Sequence, residues 1–376
     1  MRVYLDNAAT TPLAPEVADA MIPYILNEFG NPSSTHYFGR QAKAVIETAR
    51  RTVAKLLHCS PSEIIFTSGG TEADNMALTT AVLTLGVTRI VSSTIEHHAV
   101  GHTIEALKKE HPELEVVWLS VNSQGAIDLQ ELENVLKDEQ PTMVSLMHAN
   151  NEIGTLIPIE KVSQLCRQYG AWFHSDTVQT MAHYPFNLQE LDIDFITCAA
   201  HKFHGPKGIG FLYVNKNVRA EALIHGGAQE RGLRGGTENL YGIVGLAKAL
   251  ELANTDIAAH QHHVQELKSY MIAALKTLLP AVTFNGETAP DKSLYTVLNV
   301  CLPPTEKASM LLFTLDLKGV ACSGGSACSS GSAKGSHVLE GIGADPTRPN
   351  ARFSFSRYTT KAEIDFAMEQ LKSIYA

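Results

Sequence analysis

The feature that most constrains the fold is a regular alternation of short β-like runs and amphipathic helical segments between residues 60 and 215. The β-like runs are Glu63–Thr67, Arg89–Ser93, Glu115–Ser120, Thr142–His148, Ala171–Asp176, Asp194–Ala199 and Gly208–Val214. The helix-like segments between them are Glu72–Leu85, Ala99–Glu110, Leu129–Lys137 and Ile159–Tyr169. Strands that alternate with helices predict a mainly parallel α/β sheet covered on both faces, with ligands bound beyond the carboxyl ends of the strands.

The length and the C-terminal pattern predict a second domain. A chain of 376 residues exceeds the roughly 250–300 residues at which a single apolar core stops growing. The later elements are a long helical region, Leu240–Leu279, short strands at Thr296–Cys301 and Arg352–Ser356, and helices at Lys307–Leu317 and Lys361–Tyr375. We therefore predict a large domain, residues 13–255, and a smaller α+β domain that combines residues 1–12 with residues 256–376.

Charge and hydropathy disfavour several classes of partner. The net charge is −9, from 30 basic and 39 acidic residues, which is a poor basis for binding nucleic acid or an anionic membrane. We see neither a signal-peptide pattern nor a run near the roughly 20 apolar residues of a membrane span, so we expect a cytoplasmic protein. Its six cysteines are then expected to be reduced thiols.

Three predicted strand ends carry residues with unusual chemistry. Thr67–Asn75 contains a Gly-Gly-Thr turn that could hold a phosphate at a helix start, although many strand-to-helix turns contain glycine. Asp176 ends an apolar strand, where it is either a helix cap or a counter-ion for a protonated pyridine nitrogen. Lys202 follows a strand, where it is either a surface residue or a lysine that forms a Schiff base. Together they favour a cofactor site.

A Ser/Gly-rich stretch at about residues 321–336 contains Cys322 and Cys328. This composition predicts a mobile loop, and each extended residue adds at most ~3.3–3.6 Å of reach. Such a loop could carry the Cys328 thiolate from a buried site to an external acceptor, although an incidental surface thiol is the plainer alternative. Cys322 is expected to be a small, buried apolar residue. The alternative is a second thiol that forms a disulfide with Cys328 or accepts its persulfide sulfur.

These segments together resemble the fold-type I pyridoxal-phosphate enzymes of the class V aminotransferase branch, and in particular the NifS/IscS-like cysteine desulfurases. The resemblance covers nearly the whole chain, through the stretches Tyr4–Pro12, Phe29–Ser33, His148–Gly154, Arg231–Thr237 and Ala351–Thr360. It implies removal of sulfur from L-cysteine with pyridoxal 5'-phosphate, giving L-alanine and a persulfide on Cys328. It further implies transfer of that sulfur to an acceptor protein, such as an iron–sulfur scaffold or a component of tRNA thiolation.

The resemblance also implies a role for each candidate site residue. Lys202 would hold the cofactor as an imine and, with Cys328 and His97, form the catalytic set. Asp176 would pair with the pyridinium nitrogen. His97 would stack on the cofactor ring. The remaining implied contacts are Gln179 and Asn151 near the ring hydroxyl, Gly70, Thr71 and His201 at the phosphate, and Asn151 and Arg352 on the substrate. Thr237 would reach the phosphate of a neighbouring subunit, which implies a homodimer, and no metal is expected.

One departure from the family pattern and several alternatives remain. Most relatives have serine where this chain has Ala199, in a motif whose serine hydroxyl contacts the phosphate, so we expect one phosphate hydrogen bond to be missing or replaced. A transaminase or a selenocysteine lyase of the same branch, or a non-catalytic sulfur-transfer scaffold, are the competing functions. A histidine metal site is a further alternative, but His260, His262 and His263 are more simply a solvated helix face.

Overall fold

The computed structural model describes residues 1–138, 140–305, 310–324 and 335–376, so Cys328 lies outside the described residues. The described strands are β1 Val3–Tyr4, β2 Ile64–Thr67, β3 Arg89–Ser93, β4 Glu115–Leu119, β5 Thr142–Ser145, β6 Trp172–Asp176, β7 Phe195–Ala199, β8 Gly210–Val214, β9 Thr283–Asn285, β10 Val297–Cys301, β11 Val320–Ala321 and β12 Asn350–Ser354. The described helices are α1 Pro15–Asn27, α2 Tyr37–Leu56, α3 Gly70–Leu83, α4 His98–Glu110, α5 Leu129–Leu136, α6 Ile159–Gln168, α7 Leu240–Asn254, α8 Ile257–Leu278, α9 Leu311–Leu317, α10 His337–Gly341 and α11 Lys361–Tyr375.

A seven-stranded mixed sheet forms the centre of the larger part of the molecule. Its strand order is β2-β8-β7-β6-β5-β3-β4, in which β8 is antiparallel to both neighbours and every other adjacent pair is parallel. These are the seven strands that the alternating pattern predicts, so the mainly parallel sheet is confirmed. The carboxyl ends of β2, β3, β5, β6 and β7 consequently lie along one edge of the sheet, where α/β proteins bind ligands.

Apolar residues cover both faces of this sheet and form a separate core elsewhere. One cluster packs α1, α2 and α7 against one face, and another packs α3 and α4 against the other. A third cluster joins α8 and α11 to the small sheet of order β12-β10-β9. Strand β1 pairs in parallel with β11, which brings the N-terminus into this smaller core. The clusters support two domains, while the boundary at residue 255 stays a prediction.

Several element bounds differ from the sequence prediction. The predicted helical region Leu240–Leu279 is two helices, because α8 has its own N-cap at Asp256, whose side chain accepts a hydrogen bond from the Ala259 amide. Helices α1 and α2 were not predicted, although α2 is strongly amphipathic. Strand β5 ends at Ser145 rather than His148. Within the described residues, none of the helices combines the length and apolar character that crossing a bilayer requires.

A buried ion pair fixes α2 against the sheet edge. Arg50 donates to both carboxylate oxygens of Glu230 at 2.7 and 2.8 Å, and also to the carbonyl oxygen of Ile64 in β2. Glu230 additionally accepts a hydrogen bond from the Phe66 amide at 2.9 Å. Glu230 has a φ of 45°, a conformation that costs a non-glycine residue free energy. The ion pair therefore holds a strained segment in place.

Replacing Glu230 by alanine should lower the free energy of unfolding by about 3–5 kcal/mol, because Arg50 would lose its buried counter-charge and keep only the partly exposed Glu47. Urea unfolding of both proteins measures this difference. The matched control is Glu47→Ala, since Glu47 also contacts Arg50 but is partly exposed, and its loss should cost under about 1 kcal/mol. Equal losses of stability in the two variants would contradict a stabilising role for the buried Arg50–Glu230 ion pair.

Candidate active site

A cavity of about 230 Å³ lies beyond the carboxyl ends of the parallel strands. Among the described candidate residues, all except Thr237 line it: Gly70, Thr71, His97, Asn151, Asp176, Gln179, His201, Lys202 and Arg352. Five different strand ends deliver these side chains, so the cavity exists only because the parallel sheet brings those ends together. Arg352 comes from β12 of the smaller sheet and forms part of the opposite wall.

Lys202 occupies a short 3-10 turn, Ala200–Lys202, that follows β7 directly. Its ammonium group donates hydrogen bonds to the carbonyl oxygens of Ala8 at 2.7 Å and Ala9 at 2.9 Å. The neighbouring His201 contacts the Thr10 hydroxyl through Nδ1 at 3.1 Å, and burial lowers the pKa of His201 to about 4. The N-terminal segment therefore positions the lysine and forms part of the site.

Asp176 ends β6 and is a buried carboxylate, only 8% exposed. It accepts a hydrogen bond from the Val178 amide at 2.9 Å, so the cap-like contact considered from sequence is present, but no α-helix follows it. Burial, and secondarily the nearby Asp74 carboxylate, raises the pKa of Asp176 to about 6. A cation placed in the cavity against this group would relieve the cost of burying it.

Asp74 belongs to the Thr67–Asn75 motif, but its position in that motif does not predict a role for it. It is buried in α3, with Oδ1 3.4 Å from Nε2 of His174, and burial raises the pKa of Asp74 to about 8. Potential ligand atoms of Asp74, His97 and Asp176 lie within 4.8 Å of one another. This spacing also suits a metal ion, so the expectation that the protein has no metal site stays a prediction.

His97 is the N-cap of α4, and its ring Nδ1 accepts a hydrogen bond from the Ala99 amide at 3.1 Å. Burial, only partly offset by Asp176, lowers the pKa of His97. The adjacent Glu96 was not singled out from sequence, yet both of its oxygens accept hydrogen bonds from the Met147 amide at 3.0 Å. Burial raises the pKa of Glu96 well above the ordinary value. The Glu96–His97 pair thus ties α4 to the segment after β5.

The predicted phosphate turn has the expected local structure. Strand β2 ends at Thr67 and α3 begins at Gly70, as the Gly-Gly-Thr motif predicts. A side chain on Gly70 would come within 2.8 Å of Cγ2 of Val178, so glycine is required at this position. A second cavity shares Gly70, Thr71 and His201 with the first, and its other lining residues include Ser68, Gly69, Glu72 and Lys207. Backbone amides at a helix start next to a lysine form a suitable phosphate site.

Arg352 is nearly fully buried, and its partners were not predicted. It donates to Oδ1 of Asp6 at 2.9 Å and to the carbonyl oxygen of Asn151 at 2.8 Å. Its Nε is buried and finds no hydrogen-bond acceptor among the described residues. Ser323 also donates to Asp6, at 3.0 Å, and its backbone pairs with that of Arg352. The start of the Ser/Gly-rich stretch is therefore fixed beside Arg352.

Thr237 and the cysteines occupy other positions. Thr237 is exposed and lines a separate cavity with Ser68 and Arg234, so the chain does not bring it to its own main cavity. Burial raises the pKa of Cys322 to about 12, as expected for an inert buried thiol rather than a nucleophile. Cys59, Cys166, Cys198 and Cys301 are at least partly buried free thiols, as predicted.

Comparison with known proteins agrees with this arrangement. The family model described as aminotransferase class-V matches residues 3–366. The chain is 42% identical over 376 residues to the cysteine desulfurase IscS of Dictyoglomus turgidum, covering 99% of this chain and 94% of that protein. It is also 42% identical to a cysteine desulfurase of Nostoc sp., with coverages of 99% and 92%.

Solved structures give the same result. A NifS-like protein superposes with a TM-score of 0.91 at 37% identity, covering 100% of this chain and 99% of the other. SspA in complex with cysteine superposes with a TM-score of 0.81 at 31% identity, with coverages of 96% and 100%. The chain therefore belongs to the class V aminotransferase family and, within it, to the cysteine desulfurases.

Proposed function

We propose that this protein removes sulfur from L-cysteine with pyridoxal 5'-phosphate, releasing L-alanine and retaining the sulfur as a persulfide on Cys328. The observation that carries the proposal is one cavity lined by the Lys202 amine, the buried Asp176 carboxylate and the Arg352 guanidinium. These are the groups needed to hold an aldehyde cofactor, its ring nitrogen and an amino-acid carboxylate.

The residues of the cavity fit the cofactor at each end. Asp176 would pair with the protonated ring nitrogen, which supplies the positive charge that this buried carboxylate otherwise lacks. The turn around Gly70 and Thr71, with His201, would hold the phosphate. Gln179 donates to the Ala8 carbonyl oxygen at 3.0 Å, which orients its amide beside the cavity. When bound, the cofactor supplies an electron sink that favours loss of the substrate Cα proton.

Lys202 and His97 have different roles in the cavity, as a base and as a hydrogen-bond donor. Nδ1 of a neutral His97 accepts the Ala99 amide hydrogen bond, so the ring proton lies on Nε2 and the side chain presents an N–H donor. The lowered pKa of His97 favours this neutral form near pH 7. Lys202, once its amine is released, is the base that takes the Cα proton. His97 in this tautomer would donate a hydrogen bond from Nε2 to a cofactor or substrate atom.

Arg352 would bind the α-carboxylate of L-cysteine. Its buried Nε points to an unmet hydrogen bond, and a planar guanidinium binds a carboxylate through parallel hydrogen bonds. Asp6 and the Asn151 carbonyl oxygen hold the two terminal nitrogens in place. Asp6 already neutralises part of the charge of Arg352. The substrate carboxylate would therefore either share Arg352 with Asp6 or displace Asp6 from it.

The finer features of the function are also proposals. We infer a homodimer in which Thr237 reaches the neighbouring phosphate, supported by its exposure and by the exposed Phe29, Phe38 and Leu26 of the N-terminal region. The sulfur acceptor would be a protein such as an iron–sulfur scaffold, as the family resemblance implies, and similar proteins are cysteine desulfurases named IscS. The free thiols fit a reducing compartment such as the cytoplasm.

Ala199 lines the cavity, so a serine there would place a hydroxyl beside the cofactor phosphate. Ala199→Ser should tighten cofactor binding by roughly 10- to 100-fold, because a hydrogen bond to a charged group contributes roughly 1.5–3 kcal/mol. Titration of cofactor-free protein, followed by absorbance, measures the change. Ala199→Gly is the control and should give no tightening, and an unchanged affinity in Ala199→Ser would contradict the expected phosphate contact.

Sulfur transfer is tested by comparing Cys328→Ser with Cys322→Ser. With L-cysteine and a reductant, the unmodified protein should release alanine and sulfide in equal amounts. Cys328→Ser should lose at least about 100-fold of this activity while still binding L-cysteine, because the nucleophilic thiolate is gone. Cys322→Ser should keep it, since the raised pKa of Cys322 makes it a neutral buried thiol. Full activity in Cys328→Ser would contradict the proposed sulfur acceptor, and loss in Cys322→Ser would point to a second active thiol.

A further inference from the structure

A small cavity of about 20 Å³ lies where the smaller apolar core meets the larger one, beside the chain segment that follows Lys202. Its titratable nitrogen groups are His183 and His204 from the larger part, His260 from α8, and Arg357 just beyond β12, and Tyr295 and Thr296 also line it. The solvated helix face predicted for the histidines of α8 is right for His262 and His263, which are exposed, but wrong for His260, which is half-buried here.

Arg357 has a buried N–H group in this region that lacks a hydrogen-bond acceptor among the described residues. Its Nε is buried without an acceptor, and no described residue forms a hydrogen bond or an ion pair with its guanidinium. Its one described contact is with the ring of Tyr358, whose centroid lies 5.0 Å from Cζ. A buried donor without a partner is uncommon in folded proteins and commonly marks a bound water or ion. Because Arg357 is half-buried, its charge is only partly solvated, and an ion of opposite sign beside Nε would compensate it.

The other lining groups do not neutralise this charge. None of the described residues that line the cavity is an aspartate or a glutamate. Burial, with the charge of Arg357 among the lesser causes, lowers the pKa values of His183 and His204 to about 4, so both rings are neutral near pH 7. Asp256 acts on His260 from the start of α8, opposing the effects of burial and of Arg357 on its pKa. The cavity thus carries a net positive charge from Arg357.

Size restricts what the cavity can hold. A single water molecule needs roughly 10–15 Å³ of such space, so about 20 Å³ admits one particle of similar size and excludes phosphate, sulfate or a carboxylic acid. A positively charged, nearly acid-free cavity of this size matches a monoatomic anion.

We propose that this cavity binds one chloride-like anion, held by the N–H groups of Arg357 and by the ring N–H of His260, since neutral His204 already donates its one N–H to Pro12. The anion would link the two cores, because Arg357 and His260 belong to the smaller part and His183 and His204 to the larger. His204 donates from Nδ1 to the Pro12 carbonyl oxygen at 2.9 Å, which couples the cavity to the N-terminal segment beside Lys202. Anion binding would therefore stabilise the arrangement of the two parts around the active site.

Diffraction identifies the ion directly. Crystals of the cofactor-loaded protein grown or soaked in sodium bromide should show an anomalous peak beside Nε of Arg357, since bromide replaces chloride and scatters anomalously. The absence of a peak there, with electron density at the same place in bromide-free crystals, would mean that a water satisfies Arg357 and would overturn the proposal.

Thermal unfolding tests in solution whether an anion at Arg357 stabilises the folded protein. Replacing gluconate by chloride at constant ionic strength should raise the melting temperature of the cofactor-loaded protein by roughly 1–3 °C, since a ligand that binds only the folded state stabilises it. Arg357→Gln should abolish this response, and Arg357→Lys should reduce it. Arg219→Gln removes an exposed arginine and should leave it unchanged. Equal responses in the unmodified protein and Arg357→Gln would contradict a site at Arg357, and bromide diffraction remains decisive if Arg357→Gln does not fold.

Discussion

The active site depends on a buried carboxylate, Asp176, at the end of β6, which forms no ion pair with a lysine or an arginine of the described residues. Burial raises the pKa of this group, which is the cost of keeping a charge away from water. Lys202 stands at the end of the adjacent strand, but its amine is directed to the carbonyl oxygens of Ala8 and Ala9. We therefore propose that the carboxylate pairs with a positively charged ring nitrogen and that the lysine binds an aldehyde.

The N-terminal segment joins the two parts of the molecule at this site. Strand β1 pairs with β11, Asp6 holds Arg352, and the following carbonyl oxygens hold Lys202. His201 and Thr10 add a further contact between the same two segments. The groups that we propose to bind substrate and cofactor are therefore positioned by one short stretch of chain. A displacement of that stretch would disturb both groups together.

The sequence predicts the sheet and most of the cavity because both depend on local pattern. Each buried strand is a short apolar run, and Lys202, Asp176 and the Gly-Gly-Thr turn stand directly at strand ends. Residues whose role depends on packing between distant segments could not be found in this way. Asp6 is separated from Arg352 by almost the whole chain, and Asp74 acquires its significance only through burial beneath Asp176.

The remaining differences have the same physical origin. His97 could be assigned to the cofactor only through family resemblance, because the N-cap contact that fixes its tautomer depends on where α4 begins. His260 looks like part of a polar helix face until the smaller core packs against the larger one. Helix α2 was not predicted. Its Arg50 pairs with Glu230 and is buried, which shows that a charged residue of an amphipathic helix can lie in the protein interior.

The central claim is that Lys202 carries the cofactor, and peptide mapping after borohydride reduction tests it most directly. Reduction of the cofactor-loaded protein, digestion and mass spectrometry should locate a phosphopyridoxyl group on the peptide that contains Lys202. Finding that group on another lysine, such as the nearby Lys207, or finding no stable adduct in a protein that contains the cofactor, would contradict the account.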